Sequence, residues 1–332
     1  MRPLLLKGHE RALTRVRINL EGDLIFTSAK DRTLCVWFTD NGERLGTYDG
    51  HEGAVWDIDV TWDTRQLLSS SGDCTVKIWD VCTGINIISM TNQVTTRSCA
   101  FSYSGNLAAY TTKKMQINPS ILRVFDVRDP NQTVERQNYE EGSILFKKFK
   151  FDVDSESCIF SELDNVVTVG ISNGTLEQYD IRNSSQPVNS IKEHNGNITD
   201  LQLSKDGNFL ISSSTDKTAK VYHARTLKLL KSFRSGRPVN SAAISPTRDH
   251  IILGGGEEAM NVTQTSTSSG QFEARMYHLI YEQEFAKFKG HFGPINTLVF
   301  HPEGDIVITG GEDGYIRIQE LDEKYKTFEM EK

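Results

Sequence analysis

Short runs of alternating apolar and polar residues recur along the whole chain, as in Val55, Trp56, Asp57, Ile58, Asp59, Val60 and again in Val76, Lys77, Ile78, Trp79. Side chains of an extended strand point to opposite faces in turn, so this period predicts short strands with one face packed. Clusters such as "SKDGN" and "HPEGD" separate the runs and are long enough only for hairpin turns. No stretch repeats its apolar residues at helical spacing for several turns. The expected class is all-β and antiparallel.

The runs follow a fixed ruler. Gly8-His9, Gly50-His51 and Gly290-His291 are Gly-His pairs, and Glu193-His194 stands in the same setting. Twenty-two residues after each histidine comes an aspartate: Asp31, Asp73, Asp216 and Asp313. Four residues before each aspartate is a hydroxyl, Thr27, Ser69, Ser212 or Thr309, and six after it stand Trp37, Trp79, Tyr222 and Gln319. His9 to His51 spans 42 residues, the length of four strands and their turns. The wider gaps between the later histidines hold three such units, and then two plus an insertion, for a total of seven.

These residues resemble the WD40 repeat family, whose Gly-His pair, turn aspartate and closing Trp-Asp are complete in "SGDCTVKIWD". Units three and four keep only "RVFDVRD" and "SNGTLEQYDIR", and unit one ends Trp37-Phe38. The resemblance implies a single seven-bladed β-propeller over residues 1–332, with blades near 8–48, 49–90, 91–133, 134–190, 191–233, 234–288 and 289–332. "RPLLLKGH" looks like the outer strands "ERLGTYDGH" and "EFAKFKGH", so residues 2–7 are expected to complete the last blade and close the ring. In the family the recurrent His, Ser or Thr, Asp and Trp form a structural relay inside each blade. The same trio read as a hydrolase triad would have to be duplicated around a ring, which a nucleophile has no reason to be.

Composition narrows the function. Net charge is -7, which opposes general affinity for nucleic acid, because such binding neutralises phosphates with a positive field. No apolar run approaches the length of a membrane span, and the start "MRPLLLKGHERALTRV" has none of the long apolar core of a secretory signal, so a cytoplasmic protein is expected. The five cysteines, Cys35, Cys74, Cys82, Cys99 and Cys158, show no C-x-x-C pair or histidine at ligand spacing. They read as packed thiols, and neither metal nor cofactor is expected.

One stretch breaks the rhythm: "GGGEEAMNVTQTSTSSGQFEAR", residues 254–275. Alignment with the preceding unit puts Glu257 or Glu258 where Asp216 sits and Tyr277 where Tyr222 sits, so about 13 or 14 extra residues join the second and third strands of blade six. A phosphate loop would need a following Gly-Lys-Ser/Thr and a helix start, and neither is present. The readings left are a surface loop or an ordered recognition loop.

Around this insertion, "RPVNSAAISPTRDHIILGGGEEAMN", "MYHLIYEQEFAKFKGHFGPINTLVFHPEG" and "GGEDGYIRI", with "GHERALT", "NGERLGTYDGH" and "GAVWDID" near the start, resemble the family of subunit i of eukaryotic translation initiation factor 3. The resemblance implies a non-catalytic scaffold. In that family the propeller docks the C-terminal part of subunit b and associates with subunit g. It supports 43S preinitiation complex assembly and scanning on the 40S subunit, as a single copy within the assembly. The repeat alone leaves open a signalling or ubiquitin-ligase adaptor.

Candidate contact residues come from the propeller plan. Side chains just after the first inward apolar residue of each first strand should stand exposed at the mouth: Thr14, Trp56, Thr199, Asn240 and Asn296, with Asp200 beside them. Residues 217–237 carry seven basic side chains and no acid, Lys217, Lys220 and Arg225 among them, and read as a positive band or a solvated face. "FKKFKF", residues 146–151, interleaves Lys with Phe, and its period-two pattern reads as a first strand with an apolar inner face.

Overall fold

Twenty-eight strands assemble into seven four-stranded antiparallel sheets in a computed structural model, which describes residues 3–116, 118–128, 146–182, 186–256, 272–322 and 325. The molecule is an all-β, seven-bladed propeller. The sheets span residues 13–48, 55–91, 96–151, 155–192, 198–234 and 239–288, and the seventh joins 295–320 to the strand Leu4–Lys7. That strand pairs with Tyr315–Glu320 in the register Leu4↔Ile318 to Lys7↔Tyr315, so the chain's start closes the ring.

The core is divided into sectors rather than pooled. Seven clusters of buried apolar residues each straddle two neighbouring blades, including the seam between blades seven and one, where Leu6, Ile316 and Ile318 meet Leu13, Ile25 and Trp37. A sheet covered on both faces buries both, so the second strands are buried at nearly every position, small hydroxyls included, as in Leu67 to Ser71. The outer strands alternate, as in Leu229–Arg234, whose pattern of buried Phe233 between exposed Ser232 and Arg234 belongs to an edge.

One strand lies elsewhere than its sequence suggested. Phe146–Phe151 pairs with Ser120–Asp126 and is the fourth strand of blade three, not the first of blade four. The sheet of blade three therefore reaches Phe151, beyond the end near 133 that the repeat spacing gave. Its apolar side does face inward: Phe149 and Phe151 pack on Tyr179 of blade four at ring distances of 4.5 and 5.6 Å. Period two reports that one face is buried, but an outer strand lying against the next blade shows the same pattern as an inner one.

Every first strand carries a β-bulge directly after its first residue, seven times around the ring. A bulge leaves its extra residue out of the ladder and re-aims its side chain. In this ring the freed residues turn toward one end of the central channel.

Candidate docking face at the channel mouth

The relay residues sit inside the blades. In blade two His51 Nδ1 lies 2.9 Å from Asp73 and Nε2 2.8 Å from Ser69 Oγ, which Trp79 Nε1 reaches at 2.9 Å. The carboxylate can only accept and the indole can only donate, so with a neutral imidazole one arrangement satisfies all four groups. His51 Nδ1–H donates to Asp73, Ser69 O–H donates to His51 Nε2, and Trp79 N–H donates to Ser69. Blade one repeats the contacts with His9, Asp31, Thr27 and Trp37 at 3.1, 2.8 and 3.0 Å. His194, Asp216 and Ser212 of blade five, and His291, Asp313 and Thr309 of blade seven, keep the first three members. There the fourth position holds Tyr222, whose buried hydroxyl approaches Ser212 without a normal hydrogen bond, and Gln319.

Burial would raise Asp216, but hydrogen bonds from Thr218, His194 and the Asn195 amide outweigh it and hold the carboxyl at about 2. The relay ties the loop before the first strand to the turn between the second and third, and none of its oxygens is free to attack a substrate.

The same register explains the faint repeats. The position of Ser69 is taken by Tyr110 in blade three, Val169 in blade four and Leu253 in blade six. Tyr110 bonds Asn92 directly at 2.8 Å, and the other two blades bury carbon there. Tyr277 pairs with Ile251 as Tyr222 pairs with Leu210, so the insertion does join the second and third strands of blade six. Residues 257–271 of that insertion, Glu257 and Glu258 included, lie outside the described residues.

The bulges build the mouth. Thr14, Trp56, Arg97, Glu156, Thr199, Asn240 and Asn296 occupy equivalent positions on the seven first strands and line a cavity of about 650 Å³ at the channel's end. The five expected at the mouth stand there, but half-buried rather than exposed, and most are staples. Thr14 Oγ1 bonds Val55 O at 2.7 Å, Thr199 Oγ1 bonds Val239 O at 2.9 Å, Asn240 Nδ2 bonds Ile295 O at 3.1 Å, and Asn296 Nδ2 bonds Leu13 O at 2.9 Å. Each ties its blade to the first strand of the next. These four side chains spend their polar atoms on ring closure.

Asp200 lies deeper and is buried, so it is not a surface contact. It belongs to a second tier with Arg15, Asp57, Ser98, Ser157, Ser241 and Thr297, one from each blade. Arg15 of blade one lies against Asp57 at 2.9 Å and against Asp200 of blade five. Asp57 also accepts from Ser98 Oγ at 2.6 Å, and Asp200 from Ser241 Oγ at 2.6 Å and Gln202 at 3.0 Å. The mutual attraction of three buried charges holds Arg15 protonated and plugs the channel below the mouth.

What faces outward at the mouth is the sector of blades two to four. The Arg97 guanidinium stacks 4.6 Å from the Trp56 ring centre and its Nε lies 2.7 Å from Glu156. Exposed Lys113 lines the same wall. Arg97, Glu156 and Lys113 come from blades where the repeat is weak, and the spacing of the first-strand starts would have located the first two.

The positive band is divided. Lys217 stands exposed in the turn after Asp216, at the mouth end, whereas Arg225 lies past the far end of the third strand and pairs with Glu162 of blade four at 2.7 Å. Lys220 donates to Glu193 O at 2.6 Å, and Lys231 pairs with Glu282 at 2.8 Å. Acids remote in sequence thus stand against three of the run's seven bases, Glu193 at 3.9 Å from Lys220 among them.

Other chemistry is weakly provided for. His301, Glu303 and Asp305 bring ligand atoms close together, but His301 Nε2 faces Gly22 O at 3.1 Å and its Nδ1 accepts from the Glu303 amide. Neither nitrogen is left for a metal. Burial pushes the Cys158 thiol up to about 12, far from a reactive thiolate.

A family model described as EIF3I matches residues 1–331. The chain belongs to this family, eukaryotic translation initiation factor 3 subunit I. It is 57% identical over 329 residues to the family's protein from Caenorhabditis elegans, covering 99% of each chain, and 55% identical over 332 residues to that from Brugia malayi, covering 100% of each. To the Culex quinquefasciatus protein it is 47% identical over 331 residues, again covering 100% of each. The family makes it a translation initiation factor, and its WD40 propeller is the fold on which that role is carried. Among the described residues no helix is long and apolar enough to cross a membrane.

Proposed function

We propose that this propeller is a non-catalytic scaffold subunit of initiation factor 3 that docks the C-terminal part of subunit b, associates with subunit g, and so supports preinitiation complex assembly and scanning in the cytoplasm. The observation that carries the docking reading is the Trp56–Arg97 stack at the mouth, held by Glu156 on a plugged, stapled ring. A preorganised aromatic beside a cation is the composition of an interface anchor. Saturation of the relays and the raised thiols argue for a scaffold over an enzyme. The net charge of -7 favours protein partners over direct contact with nucleic acid.

Calorimetric titration of the full chain with the C-terminal segment of subunit b, at two salt concentrations, tests this. Saturable one-to-one binding that weakens with salt, and that Trp56→Ala or Arg97→Glu weakens further, is the expected result. No binding by a cooperatively folded protein would overturn the partner, and binding indifferent to both variants would overturn the mouth as the site.

A further inference from the structure

The turns between first and second strands all lie at the end of the ring opposite the mouth, and four consecutive blades place an exposed apolar residue there, second in the turn in blades one to three and first in the shorter turn of blade four. These are Leu20, Trp62, Tyr103 and Leu163, at 61, 57, 71 and 64% exposure. In the remaining three blades the second position is Lys205, Pro246 or Pro302. The arc is continuous, because each turn holds the next. Asn19 Nδ2 bonds Thr64 Oγ1 at 3.2 Å, Trp62 Nε1 bonds Ser104 O at 3.3 Å, and the Ser104 amide bonds Asp164 at 2.9 Å. Large side chains exposed singly are ordinary, but four on adjacent, interlocked turns form a patch.

We propose that this arc is a second docking surface, and that its occupant is a basic segment of a partner chain bearing apolar anchors. Charge selects the occupant. The four turns, with Glu162 directly before the last of them, carry five carboxylates, Glu21, Asp23, Asp63, Glu162 and Asp164, against one base, Arg65, which lies 3.5 Å from Asp63. Glu162 is held by Arg225 and Asp164 by the Ser104 amide, which leaves Glu21, Asp23 and Asp63 exposed beside Leu20 and Trp62. A second copy of the chain would set these acids against themselves, and an anionic membrane or an RNA would be repelled. A positively charged segment with apolar side chains gains on both counts. With one partner at the mouth and another at this arc, the ring would hold two partners at once on opposite faces.

The test places the photoreactive residue benzoylphenylalanine at position 103 of the full chain in eukaryotic cells, with a control at exposed Phe292 on the mouth side. Trapped peptides are then sequenced by mass spectrometry. The expected product is one segment of another chain that carries net positive charge and apolar residues, absent from the Phe292 control. That segment, synthesised, should bind the purified protein. Leu20→Ser with Tyr103→Ser should weaken it at least about tenfold, as loss of interface anchors does, and Arg97→Glu should leave it unchanged. The proposal is overturned by no cross-link, by one to a second copy, an acidic segment, lipid or RNA, or by an affinity indifferent to the double substitution. None of these outcomes touches the mouth, which Arg97→Glu probes separately.

Discussion

Arg15 of blade one meets Asp200 of blade five across the channel, although 185 residues separate them in the chain. Together with Asp57 they form a buried triad that joins three blades, two of them not neighbours. Removing Arg15 leaves two buried carboxylates without their counter-charge. Arg15→Met is therefore expected to destabilise the protein by about 3–5 kcal/mol in urea unfolding. Replacing all three, with Asp57→Asn and Asp200→Asn added, should recover most of that loss. A single substitution without cost would show that the triad does not hold the ring.

The relays predict a contrast between two equivalent positions. Trp79→Phe removes the indole N–H that satisfies Ser69, and should cost about 1–3 kcal/mol through the lost bond and packing. Tyr222→Phe removes a buried hydroxyl that approaches Ser212 without a normal hydrogen bond, so the same measurement should find a smaller loss. Equal losses at both sites would mean that the relay contributes nothing beyond ring burial.

Acid should unfold the protein through the turn aspartates. Asp216 is held at about 2, and Asp31 and Asp73 are also held below the usual range, because hydrogen bonds from the relay histidines and neighbouring threonines outweigh the burial that would raise them. The unfolded chain, with carboxyl pKa values near about 4, binds more protons than the folded one between these limits, so stability rises with pH there. The contribution is complete above about pH 5 and is lost as pH falls from about 4 toward 2. Urea midpoints across that window should fall less steeply for Asp73→Asn than for the unaltered chain. Parallel curves would remove Asp73 from the account.

The closing strand makes its own prediction. Deleting residues 1–8 removes the partner of Tyr315–Glu320, the buried Leu6 and the loop glycine before His9. The seventh sheet then has a bare edge, and the seam between blades seven and one is opened. Thermal unfolding should shift down by at least about 5 °C or lose cooperativity, and gel filtration should show aggregates. An unchanged melting curve would mean that the seam holds without its outer strand.

The balance between legible and hidden follows from the range of each interaction. The relay was readable because its members lie 18 and 22 residues apart within one blade, so a local spacing encodes it. Blade count, N-terminal closure and the register of Tyr277 follow from the same repeat. The outer position of Phe146–Phe151 was hidden, since alternation records burial of one face and not which neighbour buries it. Thr14, Thr199, Asn240 and Asn296 stand where the pattern put them, yet their polar atoms bond the next blade, a commitment decided only when the ring closes. Asp200 looked like a mouth residue until Arg15 arrived from the far side of the channel. The apparent charge of residues 217–237 was likewise offset by Glu162, Glu193 and Glu282. The sequence by itself determined the strands, their repeat and the polar relays, because those depend on residues within one blade. The plugged channel, the stapled mouth and the apolar arc were decided by the tertiary structure, because closing a seven-fold ring brings together positions that no spacing along the chain relates.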